Sequence, residues 1–276
     1  MVVGAGRGPL VNRAILAADS SKRKVQIFAV EKNPFAIISL YSQKEKWGNR
    51  VTIVNEDMRN WRAFCKADIL VSELLGSFGD NELSPECLDG AQRYLKDDGI
   101  SIPYTYTSYI CPVQSPKIYS ELIYNHDASK PHYANFETPF VVYLYNCWYM
   151  TEPKALFTFT HPNRSAHIDN SRYEEIEFSI AETGTMHGLA GFFEANLYKD
   201  IIISIKPDTH SKHLISWFPM FFPFREPITV TSGTKIKVSF WRCCSASHVW
   251  YEWTVSEPTT LPIHNPTGRT VSIGLK

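Results

Sequence analysis

The sequence lacks the features of several common protein classes. Of its 276 residues, 28 are Lys or Arg and 28 are Asp or Glu, so there is no excess of basic charge to hold a nucleic-acid backbone by counterion release. No uninterrupted apolar segment approaches the ~18 residues of a membrane span, and no basic segment followed by an apolar one indicates a signal peptide. We therefore expect a soluble intracellular protein with no direct contact to nucleic acid or membrane.

Cysteine pairs and metal motifs are also missing. No C-x-x-C pair occurs, and no Cys/His spacing is typical of a zinc site. The histidines are not spaced as metal ligands either. We therefore predict no bound metal and a reducing compartment. The six cysteines stand at positions 65, 87, 111, 147, 243 and 244.

The pattern that is present changes character near Pro103. Before this residue, short apolar segments such as VQIFAVE and ADILVSELL alternate with helical patterns, which is typical of βαβ units and a parallel sheet. One of the helices is predicted to begin with Ser84 as its N-cap, ahead of Pro85. After Pro103, aromatic and β-branched strands such as ALFTFTH, TKIKVSFW and VWYEWTV favour an antiparallel barrel or sandwich. We predict an α/β domain at 1–103 and an all-β domain at 104–276.

A glycine loop opens the α/β half with the letters MVVGAGRGPL. It is not a dinucleotide fingerprint, because Pro9 stands where the third glycine of G-x-G-x-x-G belongs, and no Gly-Lys-Ser/Thr of a P-loop follows. A G-x-G-x-G loop between a strand and a helix is the pattern of S-adenosylmethionine-dependent methyltransferases. The alternative is a tight strand-to-helix turn without a ligand.

Two acidic residues favour the nucleoside interpretation. Glu31 ends the second strand, where a carboxylate can accept hydrogen bonds from ribose hydroxyls. Asp57 ends the third strand, where it can meet an adenine amino group while Met58 covers the ring. Either acid alone is more commonly a solvated strand end or a helix cap. Together, at successive strand ends, they predict an adenosine pocket.

Two further glutamates bracket the loop that follows the fourth strand. Glu73 and Glu82 flank residues 74–81, which include two glycines. Such a loop can fold back and point both carboxylates into one space. Because the loop leaves the sheet edge that carries the predicted adenosine pocket, the pair is a candidate substrate site.

The chain contains the motifs GAGRGPL, VEKNP, SELLGSF, DNELSPECLDGAQ, SWFP, VWYEW and HNPTGR. Together they closely resemble the catalytic half of the symmetric (type II) protein arginine methyltransferases, and the resemblance extends over essentially the whole chain. The resemblance implies a Rossmann-type class I methyltransferase domain followed by an antiparallel β-barrel. It also implies methyl transfer from S-adenosylmethionine to arginine in Gly/Arg-rich proteins such as histone tails and Sm proteins, giving symmetric dimethylarginine. A cytoplasmic and nuclear location follows from the same resemblance.

The resemblance also assigns site residues. Glu73 and Glu82 would grip the substrate guanidinium, and Trp217 would pack on the substrate arginine. Ser216 lies beside it, where asymmetric family members carry a Thr-His-Trp element. The residues that would bind the donor are Gly4, Gly6, Leu10, Glu31, Asp57 and Met58.

Family members also carry parts that this sequence does not show. These are a large N-terminal barrel that docks a WD-repeat partner and a helical segment at the donor site; homo-oligomers are known in the family. Only residues 1–3 precede the glycine loop, so we expect a truncated chain that alone binds the donor weakly and shows little activity. Two alternatives stay open: a non-catalytic fragment that associates through its barrel, and a small-molecule methyltransferase, against which the long β half argues.

Overall fold

A computed structural model describes residues 1–125 and 127–275, and its first half is built on a five-stranded parallel sheet. The strand order is β3-β2-β1-β4-β5, so the chain changes direction in the sheet beside β1, where doubly wound folds bind their ligands. This confirms the Rossmann-type prediction. The strands are β1 (Val2–Val3), β2 (Ile27–Glu31), β3 (Val51–Asn55), β4 (Ala67–Ser72) and β5 (Leu95–Ile102).

Helices pack their apolar side chains against this sheet, and its central strands β1 and β2 are the most fully buried. The helices are α1 (Pro9–Ser20), α2 (Pro34–Ser42), α3 (Lys44–Trp47) and α4 (Ser84–Ala91), with 3-10 turns at Gly48–Arg50 and Gln92–Tyr94. Val11 and Ile15 of α1 pack with Ala29 of β2 and Leu40 of α2. Within the described residues, no helix is both long enough and apolar enough to cross a membrane.

The second half consists of antiparallel strands in two sheets. One has the order β10-β14-β15-β16 and the other β7-β13-β11-β6-β8, with β12 paired to β11 and β9 paired to β6. Closure of these sheets into a barrel stays a prediction. The strands are β6 (Thr105–Gln114), β7 (Phe140–Val141), β8 (Trp148–Tyr149), β9 (Lys154–Thr160), β10 (Arg172–Ser179), β11 (Gly184–Tyr198), β12 (Ile201–Ser204), β13 (Met220–Val230), β14 (Lys235–Cys244), β15 (His248–Glu257) and β16 (Ile273–Gly274).

The core of the β half also takes in side chains from the α/β half. Leu75 and Phe78, from the loop after β4, are buried among the aromatic side chains of the antiparallel sheets. Phe78 lies 5.0 Å from the ring of Phe222 and 5.6 Å from that of Tyr251. The loop between Glu73 and Glu82 is therefore held by the β half.

Four local features differ from the sequence-based description. Helix α5 (Pro116–Tyr124) and a 3-10 turn at Ala134–Glu137 lie in the half that was expected to contain only strands. The sequence gives little sign of α5, because this short helix buries only Ile118 and Leu122. A last 3-10 turn spans Pro266–Gly268. The predicted Ser84 cap is wrong: Leu83, in a left-handed conformation, precedes helix α4, and Ser84 is the first residue of the helix itself.

Candidate active site

The glycine loop connects β1 to α1 and contacts the end of β2. The Gly6 amide donates to Glu31 Oε2 over 2.8 Å, so the loop and the acidic residue lie at the same edge of the sheet. Gly8 has φ +89, and a Cβ there would lie 2.8 Å from the Trp47 ring. Only glycine combines this left-handed backbone with so close an approach.

The space above this loop suits a nucleoside ligand. A Cβ added to Gly6 would meet only the Gly4 carbonyl oxygen, at 4.0 Å, so the region over the loop is open. Glu31 Oε1 accepts hydrogen bonds from the amides of Lys32 and Asn33, both at 2.8 Å. With Gly6 on Oε2, three of about four acceptor positions are used. The carboxylate can therefore accept one further hydroxyl without losing a bond.

Apolar side chains from other strand ends border the same loop. A Cβ at Gly4 would lie 2.9 Å from Leu74 Cδ2 and 3.6 Å from Met58 Cε. The ends of β1, β3 and β4 thus converge, and Met58 stands where a flat ring could be covered. Leu10 is half-buried against the core beneath α1. The individual donor contacts of these residues stay predictions.

Asp57 is more heavily engaged than the sequence indicates. Arg59 donates from Nη2 to Oδ2 (2.7 Å), and from Nε and its backbone amide to Oδ1 (3.0 and 2.9 Å). Lys32 Nζ adds a bond to Oδ2 at 3.1 Å. These bonds, chiefly those from the Arg59 side chain, hold the pKa of Asp57 well below its usual range. An adenine amino group would have to displace one of these donors, so the predicted adenine contact requires a local exchange of partners.

The loop after β4 brings its two glutamates together. Gly76 and Gly79 close it through reciprocal backbone hydrogen bonds of 3.2 and 2.8 Å. Both carboxylates reach solvent, yet partial burial raises the pKa of Glu73. Partial burial also raises the pKa of Glu82, and the negative charge of Glu73 adds to that effect. The pair is therefore close enough to repel.

The antiparallel half supplies a tryptophan beside this pair. Trp217 Nε1 donates to the Leu75 carbonyl over 2.7 Å, and its ring meets Phe193 edge-on at 5.5 Å. The indole is half-buried and Ser216 next to it is exposed. The structure thus brings Trp217 to the loop that carries Glu73 and Glu82, from 142 residues away along the chain.

This arrangement is suited to a cation with several N–H groups. An external cation would relieve the repulsion between Glu73 and Glu82 that contributes to the raised pKa of Glu82. Carboxylate pairs bind guanidinium groups through parallel hydrogen bonds, and an indole face adds a cation–π contact. Within residues 1–125 and 127–275, no group of three His, Cys, Asp or Glu residues could hold a metal ion.

Three residues that support the site were not predicted from the sequence. Leu74 borders the glycine loop, Arg59 holds Asp57, and Arg242 forms a buried ion pair with Asp80. Arg59 carried a local signal, since it lies two residues after Asp57. Arg242 carried none, because its partner lies 162 residues away.

Two family models cover almost the whole chain. Residues 1–102 match the PRMT5 arginine-N-methyltransferase model, and residues 105–273 match the PRMT5 oligomerisation domain. Among curated proteins, the chain is 52% identical to protein arginine N-methyltransferase 5 of Xenopus laevis and 53% identical to that of Oryza sativa subsp. japonica. Both alignments cover 100% of this chain but only 44% and 42% of those relatives, so the chain spans less than half of their length.

Solved structures share the fold at low sequence identity. The Trypanosoma brucei PRMT1 enzyme-prozyme heterotetrameric complex with AdoHcy has a TM-score of 0.76 at 16% identity, covering 100% of this chain and 88% of that one. Arabidopsis thaliana protein arginine methyltransferase 10 has a TM-score of 0.71 at 15% identity, covering 99% and 86%. With the family models, this confirms the resemblance in the sequence: the chain belongs to the protein arginine N-methyltransferase 5 family.

Proposed function

We propose that this chain forms the donor-binding and catalytic region of an S-adenosylmethionine-dependent protein arginine methyltransferase. The observation that carries the proposal is the pair Glu73 and Glu82, two carboxylates with raised pKa values beside the Trp217 indole. The open glycine loop and Glu31 supply the neighbouring nucleoside site. Membership in the protein arginine N-methyltransferase 5 family supports the same assignment.

The carboxylate pair has a defined task in this reaction. Arginine stays protonated near neutral pH, and delocalisation makes its nitrogens poor nucleophiles. Hydrogen bonds donated by the guanidinium to two carboxylates hold the positive charge toward some nitrogens and leave another free to attack. The bound donor supplies an electrophilic methyl group on a sulfonium leaving group, so alignment contributes most of the acceleration.

The proton balance gives the glutamates a second task. As the new nitrogen–carbon bond forms and the sulfur–methyl bond breaks, the substituted guanidinium must lose one proton. A carboxylate with a raised pKa is a better proton acceptor than an ordinary one. Glu73 and Glu82 both meet this condition, and either can pass the proton to solvent.

We propose symmetric dimethylarginine as the product and Gly/Arg-rich protein segments, such as those of histone tails and Sm proteins, as substrates. Support for the product is the Ser216-Trp217 pair in the region where asymmetric members of the family carry Thr-His-Trp. Support for a protein substrate is the large β half, whose edge carries Trp217. The description of residues 105–273 as an oligomerisation domain supports self-association through the same half.

One assay separates the open functions. The chain, extended at its N-terminus to the length of the relatives, is incubated with isotope-labelled S-adenosylmethionine and a Gly/Arg-rich peptide. A parallel incubation uses a panel of small-molecule acceptors, and mass spectrometry follows both. We expect label in the peptide as symmetric dimethylarginine. Asymmetric product would reject the product assignment, and label only in small molecules would reject the substrate class. No transfer at all would favour the non-catalytic alternative.

A further inference from the structure

A buried charge cluster lies directly behind the loop that carries Glu82. The Arg242 side chain has no exposed surface, and its guanidinium donates from Nε to Asp80 Oδ2 over 2.5 Å. Nη1 and Nη2 bind the two oxygens of Glu86 at 2.8 and 3.0 Å. Nη1 also donates to the Asn170 carbonyl at 3.1 Å. One arginine of β14 thus binds groups from three separate segments, at Asp80, Glu86 and Asn170.

The two acidic partners of Arg242 flank Glu82 in sequence. Asp80 lies two residues before it and Glu86 lies four residues after it, in the first turn of α4. Asp80 is held further by the hydroxyls of Tyr251 (2.6 Å) and Ser108 (3.0 Å). Both ends of the segment 80–86 are therefore fixed to the β half, whereas Glu82 between them is exposed.

The backbone between these anchors adopts an uncommon conformation. Leu83, immediately after Glu82, has φ +64 and ψ +26, a left-handed geometry that is unfavourable for a residue with a branched side chain. Such a conformation persists where the surroundings over-determine it, and it occurs preferentially at functional sites. The turn at Leu83 sets the direction in which the Glu82 side chain leaves the backbone.

Stability alone is a weak reason for this cluster. Removing ions from water is costly, and well-packed apolar side chains of similar volume stabilise a core as well as a buried ion pair or better. Arg242 stands next to the apolar core of the β half, with its guanidinium 5.3 Å from the Phe159 ring. The cluster instead holds the backbone around Glu82 in one geometry, which explains why charged rather than apolar side chains occupy it.

We propose that Arg242 is a positioning residue that aims Glu82 at the substrate guanidinium by clamping Asp80 and Glu86 on either side of it. This inference rests on the proposed function for its kinetic consequence. Its structural consequence, a fixed conformation of residues 76–83, does not depend on any activity.

The test compares two variants with a matched control. Arg242→Lys keeps the charge but loses the paired bonds to Glu86, and Asp80→Asn keeps the shape but loses the charge. Glu137→Gln is the control, because Glu137 is also fully buried and binds Arg225, Arg269 and Thr270, none of which belongs to the loop. Each variant is made in the same N-terminally extended chain and measured below its unfolding temperature for donor affinity, kcat, KM for the peptide, and hydrogen exchange of residues 76–83.

We expect both variants to lower kcat roughly ten- to hundred-fold, as misplacement of a catalytic group by about 1 Å does, while donor affinity changes less than about two-fold. Exchange of amides 76–83 should rise in both variants and stay unchanged in the control. Unaltered exchange and kcat in Arg242→Lys, or equal losses in Glu137→Gln, would overturn the proposal. If the unchanged protein transfers no methyl group, the proposed function fails, and the exchange comparison still decides the clamp.

Discussion

At the scale of single residues, Glu73 and Glu82 are sites where function opposes stability. Partial burial raises both pKa values above the ordinary 4.5. Between 4.5 and the raised values, the unfolded chain gives up these protons while the folded chain retains them. Stability is therefore lost as pH rises through this window, and the cost persists at neutral pH.

Because the charged glutamates lower stability at neutral pH, removing one charge should stabilise the fold. Glu82→Gln should raise the thermal unfolding temperature at pH 7.5, because the amide carries no charge to desolvate, and the gain should shrink toward pH 5. Calorimetric scans at both pH values measure it. Glu182→Gln, at an exposed position between β10 and β11, serves as the control and should change neither scan. A lower unfolding temperature for Glu82→Gln at pH 7.5 would show that the site is not destabilising.

The same raised pKa values predict how the reaction rate depends on pH in the acidic range. As pH falls through them, the pair takes up a proton and its attraction for a guanidinium weakens. The rate constant kcat/KM for the peptide should therefore fall with decreasing pH, with a midpoint above 4.5, because kcat/KM reports the groups of the free enzyme. A pH series of initial rates measures this limb. A midpoint at or below 4.5 would contradict the raised pKa values.

At the scale of elements, the glycine loop depends on tight contact as well as on backbone freedom. Gly8 and Gly233 both have positive φ, but only a Cβ at Gly8 would meet a neighbour, Trp47 at 2.8 Å. Gly233→Ala should cost about 1–2 kcal/mol for the left-handed conformation. Gly8→Ala should cost about 1–3 kcal/mol more, because it overpacks the base of α1. Chemical denaturation compares the two; equal losses would mean that Trp47 moves aside freely.

Some of the helices and strands could be predicted from the sequence and others could not. The parallel strands and the first helices could be predicted, because buried apolar segments alternate with helical patterns and Gly or Pro punctuation. The sequence also placed the glycine loop and Glu31 at the same edge of the sheet, because they lie at the ends of successive parallel strands. Helix α5 was missed because only Ile118 and Leu122 mark its buried face. The Ser84 cap was wrong because α4 begins after a left-handed Leu83 that long-range contacts hold, and local sequence does not encode those contacts.

At the scale of the whole molecule, the two halves share the loop on which the site depends. Phe78 and Asp80 belong to the α/β half, yet both are fully buried by partners such as Phe222 and Arg242 of the β half. We expect residues 1–103 expressed alone to show no cooperative thermal transition, since both side chains would then be exposed. Circular dichroism during heating, with the intact chain as control, tests this. A sharp transition in the isolated segment would show that the loop does not need the β half.

The central claim is that the carboxylate pair of Glu73 and Glu82 performs the chemistry on arginine. Its most direct test introduces Glu73→Gln and Glu82→Gln into a chain extended at its N-terminus to the length of the relatives. The rate of methyl transfer to a Gly/Arg-rich peptide is measured at saturating donor and peptide, and donor affinity is measured by calorimetry. We predict that turnover is abolished in both variants while donor affinity changes little, because neither residue belongs to the nucleoside site. Near-normal turnover in either variant would contradict the account.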